Sequence, residues 1–225
     1  MTKSEHTFVE YCKQRGYSVA LIATEPNVRR TADFRVVAGS EELIVEVEEI
    51  TANAEDRRLH EDLMAGRISS GGGIIGKRAR GHIREGAAQL KPHSTEGVPG
   101  VIVLYDNIVI AERRHTFVYS DLRTFHIDAA MYGFIQANLV VGSEGIVGTK
   151  PDTAGGGRVT TRSEKLYLSA VCVLYDIPKL RMVTYHNYFA AIPLPLSVFA
   201  GDGDIHFKKP GDPTVYPGSW VSVTA

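Results

Sequence analysis

The chain carries little sulfur and almost no excess charge. Its 225 residues include two cysteines, one tryptophan and four methionines. Cys12 and Cys172 lie far apart and no Cys-x-x-Cys pair occurs, which excludes a cysteine-rich zinc module and argues against a disulfide framework. No apolar run approaches the ~18 residues that span a bilayer. The polar start Met-Thr-Lys-Ser-Glu-His leads into no apolar segment of a secretory signal. The net charge is -1, from 25 basic and 26 acidic residues. That balance rules out a uniformly basic nucleic-acid-coating protein and a highly charged disordered chain. These absences predict a soluble cytoplasmic protein without a membrane segment. At this length, and with 44% hydrophobic residues, it can bury a core without crosslinks.

Familiar hydrolase signatures are also missing. There is no Gly-x-Ser-x-Gly nucleophile elbow and no evident Cys-His arrangement. His82, His115 and His126 show no His-Glu-x-x-His spacing, so a zinc hydrolase is disfavoured. Gly71-Gly72-Gly73-Ile74-Ile75-Gly76-Lys77 has the spacing of a phosphate-binding loop, but Arg78 follows where Ser or Thr should bind Mg²⁺. No hydrophobic strand precedes it. A flexible loop that closes over a substrate fits better.

What is present reads as alternating helices and strands. Ser4 to Arg15 is a helix with Ser4 as its cap and Phe8 and Cys12 on its apolar face; Gly16 ends it. Tyr17 to Ala23 is a strand. Asp33 to Ala38 and Leu43 to Ile50 are strands joined by Gly39-Ser40-Glu41-Glu42, which predicts antiparallel pairing. Thr51 to Ala65 and Arg78 to Lys91 are helical, the second with Ile83, Ala87 and Leu90 on one side. Val98 to Tyr105 is a strongly apolar strand. Asp121 to Gly133 is a helix, and Leu139 to Val141 a short strand. Gly142 to Arg162 is loop or hairpin. Leu168 to Tyr175 and Leu180 to His186 pair across Asp176-Ile177-Pro178-Lys179. His186-Asn187 shapes a turn or binds a ligand. Beyond Pro193 the Pro- and Gly-rich chain is expected to be an irregular surface tail. The order predicts an α/β domain on a mixed sheet with helices on its faces.

The most informative residues are carboxylates. Asp33 is followed, after twelve residues, by Glu46-Val47-Glu48. Side chains alternate along a strand, so Glu46 and Glu48 share one face while Val45 and Val47 take the other. The hairpin brings Asp33 near them. Three hard oxygen ligands suit Mg²⁺, or Mn²⁺, which takes a few carboxylates plus water and phosphate oxygens.

Thr31-Ala32-Asp33-Phe34, Val45-Glu46-Val47-Glu48 and the order of elements around them resemble the PD-(D/E)XK nuclease superfamily, which includes many restriction endonucleases. The resemblance covers roughly Ser4 to Asp106. It implies a restriction-endonuclease-like mixed sheet flanked by helices, with a β-rich C-terminal elaboration. Residues 1–110 would be the nuclease core, and 111–225 an α/β extension of the same domain with a Gly/Pro-rich tail. It places Asp33 on the motif Asp, Glu46 on the first position of (D/E)-X-K and Glu48 on the position usually held by Lys. Glu10 falls on the carboxylate of the first helix and Gln89 on the later helix. Ala32 replaces the motif Pro, which is not a ligand. Glu48 in place of Lys is the larger departure. Glu can act as base or auxiliary ligand, Lys77 can supply the missing cation, or activity is lost.

Charge is segregated along the chain. Residues 41–56 hold seven acids and no base, whereas residues 57–91 hold eight bases against three acids. An acidic metal pocket beside a basic segment is what a phosphodiester enzyme needs. Lys77, Arg80 and Arg84 are the candidate phosphate contacts. The resemblance therefore implies a Mg²⁺- or Mn²⁺-dependent nuclease acting on DNA, in restriction or phage defence. Asp33 and Glu46 would be its metal ligands, Glu48 a third catalytic group, and Glu10, Gln89 and Lys77 supporting residues. The alternative is an inactive module of the same fold that binds nucleic acid or a partner protein. A homodimer is the candidate assembly.

Overall fold

The computed structural model describes residues 1–23, 31–67, 75–107, 122–142, 145–154, 158–213 and 219–224. Helix α1 (Lys3–Gln14) is followed by strands β1 (Ser18–Leu21), β2 (Phe34–Ala38) and β3 (Glu41–Ile50). Helices α2 (Ala54–Met64) and α3 (Lys77–Leu90) lead to β4 (Gly100–Asp106). Helix α4 (Thr124–Tyr132) precedes the pair β5 (Phe134–Gly142) and β6 (Gly145–Ala154). The chain ends with β7 (Leu168–Tyr175), β8 (Arg181–His186), β9 (Ile205–Lys208) and β10 (Val221–Val223).

Eight strands form one mixed sheet in the order β1-β2-β3-β4-β7-β8-β9-β10, and β5 and β6 form a separate antiparallel pair. The first three strands are antiparallel. β4 then runs parallel to β3, and β7 parallel to β4. Strands on both sides of residue 110 thus share a sheet. The unbroken apolar runs Val101–Tyr105 and Ala170–Leu174 occupy its centre, where a strand is buried on both faces.

Two apolar layers sandwich this sheet. On one face Ile44, Ile102, Leu104, Val171 and Val173 meet Ala79, Ile83, Ala87 and Leu90 of α3 and Ile127, Ala130 and Met131 of α4. On the other, Val45, Val47, Val101, Val103 and Cys172 meet Phe8, Tyr11 and Cys12 of α1. Alternation along β3 and β4 sends neighbouring residues to opposite layers. Cys12 and Cys172 are buried free thiols, and burial pushes both up to about 12.

Two expectations are corrected. The cap of α1 is Thr2, not Ser4. The Thr2 side chain accepts from Glu5 N while the Glu5 carboxylate accepts from Thr2 N, a reciprocal capping box. Ser4 lies inside the helix, buried, and its N–H donates to Glu49. The segment after Pro193 is also not a surface tail. Leu194, Val198 and Phe199 are fully buried in the α1 layer, and Phe199 packs its ring against Phe8, Tyr11 and Tyr17. β9 and β10 then extend the sheet. Isolated apolar residues between prolines and glycines have no period, so their burial leaves no pattern.

One carboxylate ties this returning segment to α1. Asp204 Oδ2 accepts from Tyr11 Oη at 2.9 Å, Arg15 Nε at 3.0 Å and Gly201 N at 2.8 Å. Its Oδ1 accepts from Met182 N of β8 at 2.7 Å. The Asp204 side chain is fully buried, so removing it strands the donors and leaves the Arg15 charge without its partner. Asp204→Ala is expected to cost about 3 kcal/mol or more, seen in thermal melts as a drop of roughly 6–12 °C. An unchanged melting point would mean that the apolar contacts of Phe199 hold the segment alone.

Candidate metal-binding site on β2, β3 and α3

Helix α3 lies flat on β3 and β4 because it presents Gly86 to them. A Cβ at Gly86 would stand 3.2 Å from Ile102 Cγ1 and 3.3 Å from Glu46 Cγ. The close approach seals Glu46 under the helix at 3% exposure. Glu46 and Glu48 share a face of β3, as alternation requires, but that face is the one α3 covers. The pair therefore does not form the solvent side of an amphipathic strand.

Asp33 sits where β2 parts from β3. The last backbone pair there is Phe34 with Val45. Beyond it the Asp33 side chain takes over the ladder, with Oδ2 accepting from Val47 N at 2.9 Å. This bond aims the carboxyl along β3, where its charge is felt by Glu46. Gln89 of α3 closes the arrangement from above. Its Nε2 donates to Glu46 Oε1 at 2.5 Å and faces Glu48 Oε1 at 3.4 Å. Glu46 Oε2 is buried and has no hydrogen-bond partner among the described residues.

This crowding raises the proton affinity of both acids. Burial, then repulsion from Asp33 and Glu48, pushes the Glu46 carboxyl up to about 9. Burial raises Asp33 to about 6, against the opposing Val47 hydrogen bond and with help from Glu5 and Glu48. Without a cation, the pair holds a proton near neutral pH. A carboxylate cluster with such shifts is a functional-site signature. The donor set fits a hard divalent cation: oxygen ligands only, one of them buried and unpartnered.

A second cluster adjoins the first. Glu48, His82 and Glu85 each offer a ligand atom, all within 4.8 Å of one another, close enough together to chelate a divalent ion. His82 Nδ1 lies 3.0 Å from Glu48 Oε2. His82 and Glu85 are one turn apart on α3, and Gln89 follows one turn later on the same side.

The other sequence candidates fall differently. Glu10 is exposed and accepts from Gln14 Nε2 at 3.1 Å, on the side of α1 away from the sheet. The α1 carboxylate whose charge is felt at Asp33 and Glu46 is Glu5, three residues before the buried Phe8. Arg80 is buried at 3% exposure, and its Nη2 donates to the Ala129 carbonyl at 3.0 Å. It binds α3 to α4, which corrects its expected role as a phosphate contact. Lys77 and Arg84 are exposed on α3. Residues 71–74 of the glycine loop and His115 lie outside the described residues. Gly76, at the foot of that loop, has φ +70° and packs on α4, where a Cβ would stand 2.5 Å from the His126 carbonyl oxygen. Asn187 is a turn-former: its Nδ2 donates to Leu168 O and its Oδ1 accepts from Phe189 N.

Sequence reasoning missed Glu5, His82 and Glu85. A search for ligand spacing within one segment overlooks a set split between strand and helix. The helical spacing of 82, 85 and 89 was the available signal. Comparison of the chain with protein-family models, curated proteins and solved structures finds no match. Among the described residues no helix is long and apolar enough to cross a membrane.

Unfolding returns Glu46 to an ordinary value near 4.5. The folded state then keeps a proton that the unfolded state releases. The metal-free fold therefore loses stability as pH rises from about 4.5 to about 9. Glu46→Gln removes that loss, and its amide oxygen can keep the Gln89 contact. In EDTA the variant is expected to melt ~5 °C or more above the parent at about pH 8, and much closer to it at about pH 5. Equal melting points at the higher pH would mean that the buried carboxyl carries no penalty.

Proposed function

We propose that the protein is a Mg²⁺- or Mn²⁺-dependent nuclease of the PD-(D/E)XK type that hydrolyses DNA phosphodiester bonds. The observation that carries this reading is the Asp33–Glu46 carboxyl pair, with Glu46 held under α3 and one of its buried oxygens unpartnered among the described residues. The element order supports it as well. A helix, three antiparallel strands, the helices α2 and α3 and a fourth strand parallel to the third follow the general order that the resemblance implies. On this reading residues 1–110 are the nuclease core, and 111–225 extend the same domain.

Each residue then has a task. Asp33 and Glu46 hold the cation, which when bound polarises the phosphodiester and acidifies water. The Val47 N–H fixes Asp33, and Gln89 fixes Glu46. Glu48 stands where the family has Lys, and its carboxylate can take a proton from attacking water. The exposed Lys77 and Arg84 on α3 contact backbone phosphates, as the basic character of residues 57–91 favours. A setting in restriction or phage defence follows from the same resemblance.

A second reading has one observation behind it. The position of the family Lys is a Glu engaged by His82, which suits a non-catalytic module that binds nucleic acid or a protein. One assay separates the two. Supercoiled plasmid and single-stranded DNA are incubated with the full chain in Mg²⁺ or Mn²⁺, beside Asp33→Asn. Cleavage that falls about 100-fold or more in the variant is expected. Equal background in both proteins removes the nuclease reading, and salt-sensitive DNA binding without cleavage supports the module.

A further inference from the structure

We propose that Glu48, His82 and Glu85 form a second cation site, beside the Asp33–Glu46 pair and distinct from it, which takes a first-row transition ion such as Zn²⁺ or Mn²⁺ in preference to Mg²⁺. This goes beyond the nuclease reading and stands without it, because it concerns binding alone.

The geometry is that of a chelate with mixed donors. Three ligand atoms from two rigid elements lie within 4.8 Å of one another. Glu48 comes from a central strand, and His82 and Glu85 from consecutive turns of α3. First-row ions bind nitrogen and oxygen at ~2.0–2.2 Å, so adjustment of the exposed Glu85 side chain closes the set. The elements themselves are fixed by the Gly86 contact with β3 and β4.

A second observation points the same way. Glu46 is 3% exposed, its Oε2 is unpartnered among the described residues, and it stands two residues from Glu48 on the same strand face. Gln89 Nε2 reaches both side chains, at 2.5 Å and 3.4 Å. Glu48 and His82 are half-buried beside this wall of acceptors, and Glu85 completes the set from its solvent side. His82 Nδ1 to Glu48 Oε2, at 3.0 Å, is the one contact within the cluster that already pairs a nitrogen with an acid.

The imidazole decides the ion. Mg²⁺ prefers oxygen and keeps its waters, whereas imidazole suits Zn²⁺ and its first-row neighbours, and Mn²⁺ gives up water for a mixed donor set more readily than Mg²⁺ does. The Asp33–Glu46 pair has oxygen only. The two halves therefore differ in selectivity although they share Gln89.

The test uses the metal-stripped full chain. Mn²⁺ binding is followed by the paramagnetic resonance signal of the free ion and Zn²⁺ binding by calorimetry, with and without excess Mg²⁺. The parent is compared with His82→Asn, Glu85→Gln and Asp33→Asn, each checked for folding by circular dichroism. A Mn²⁺ class that Mg²⁺ fails to displace is expected in the parent. His82→Asn and Glu85→Gln should weaken it about tenfold or more, while Asp33→Asn retains it. Glu85 is exposed, so Glu85→Gln remains informative if His82→Asn does not fold. Unchanged Mn²⁺ and Zn²⁺ affinity in both cluster variants overturns the proposal. Equal loss in Asp33→Asn also overturns it, since that means a single shared site. Mn²⁺ binding without DNA cleavage would sink the nuclease reading and leave this one standing.

Discussion

A carboxyl group buried against an apolar helix is unfavourable unless something compensates it, and Glu46 is placed under that constraint by the fold itself. It lies between Ile44 and Ile50 on the face of β3 that α3 covers. Gly86 brings the helix within contact distance of its stem. Gln89 compensates one oxygen, and the other has no partner among the described residues. Asp33 is then drawn to the same point by Val47 N, where the strand ladder opens. The site follows from how α3 is seated, so whatever fixes α3 also fixes the chemistry.

Several contacts do so from the outside. Arg80 binds the carbonyl end of α4 through Ala129, and Gly76 lets the start of α3 press on the same helix. Arg78 pairs with Asp56 at 2.8 Å and also reaches the Thr51 carbonyl, tying α3 to the segment that leaves β3. Across the sheet, Lys3 and Glu49 share Asn107, which fastens the start of α1 to the ends of β3 and β4. That contact holds Glu5 where its charge reaches Asp33 and Glu46. The basic residues nearest the site are thus divided between holding α3 in place and facing solvent. Charge counting along the chain does not separate the two roles.

The legible parts of the sequence were those with a period. Alternation along β3 marked Glu46 and Glu48 as one face, the Gly39-Ser40 turn gave the β2–β3 pairing, and the apolar runs gave β4 and β7. Illegible were the features set by partners distant in the chain. Nothing local distinguishes Arg80 from Arg84, yet one is buried on Ala129 and the other exposed. Glu10 and Glu5 both follow helical spacing, and only the packing of Phe8 selects between them. Leu194, Val198 and Phe199 become core because Asp204 brings their segment back to α1. His82 gains meaning only when α3 is laid over Glu48.

The Glu at position 48 changes the electrostatics more than the outline of the site. A Lys there would offset one of the carboxylates and lower the proton affinity of its neighbours. Glu48 does the reverse, and its repulsion is one reason Glu46 holds its proton. Asp33, Glu46 and Glu48, with Glu5 in range, concentrate more negative charge than Gln89, a neutral amide, can balance. A bound cation would offset this charge and let the cluster ionise fully at neutral pH. His82 then matters as the nitrogen that α3 supplies beside Glu48. A Glu at this position, beside an imidazole, puts a group that can bind an ion where a Lys would put a fixed ammonium charge.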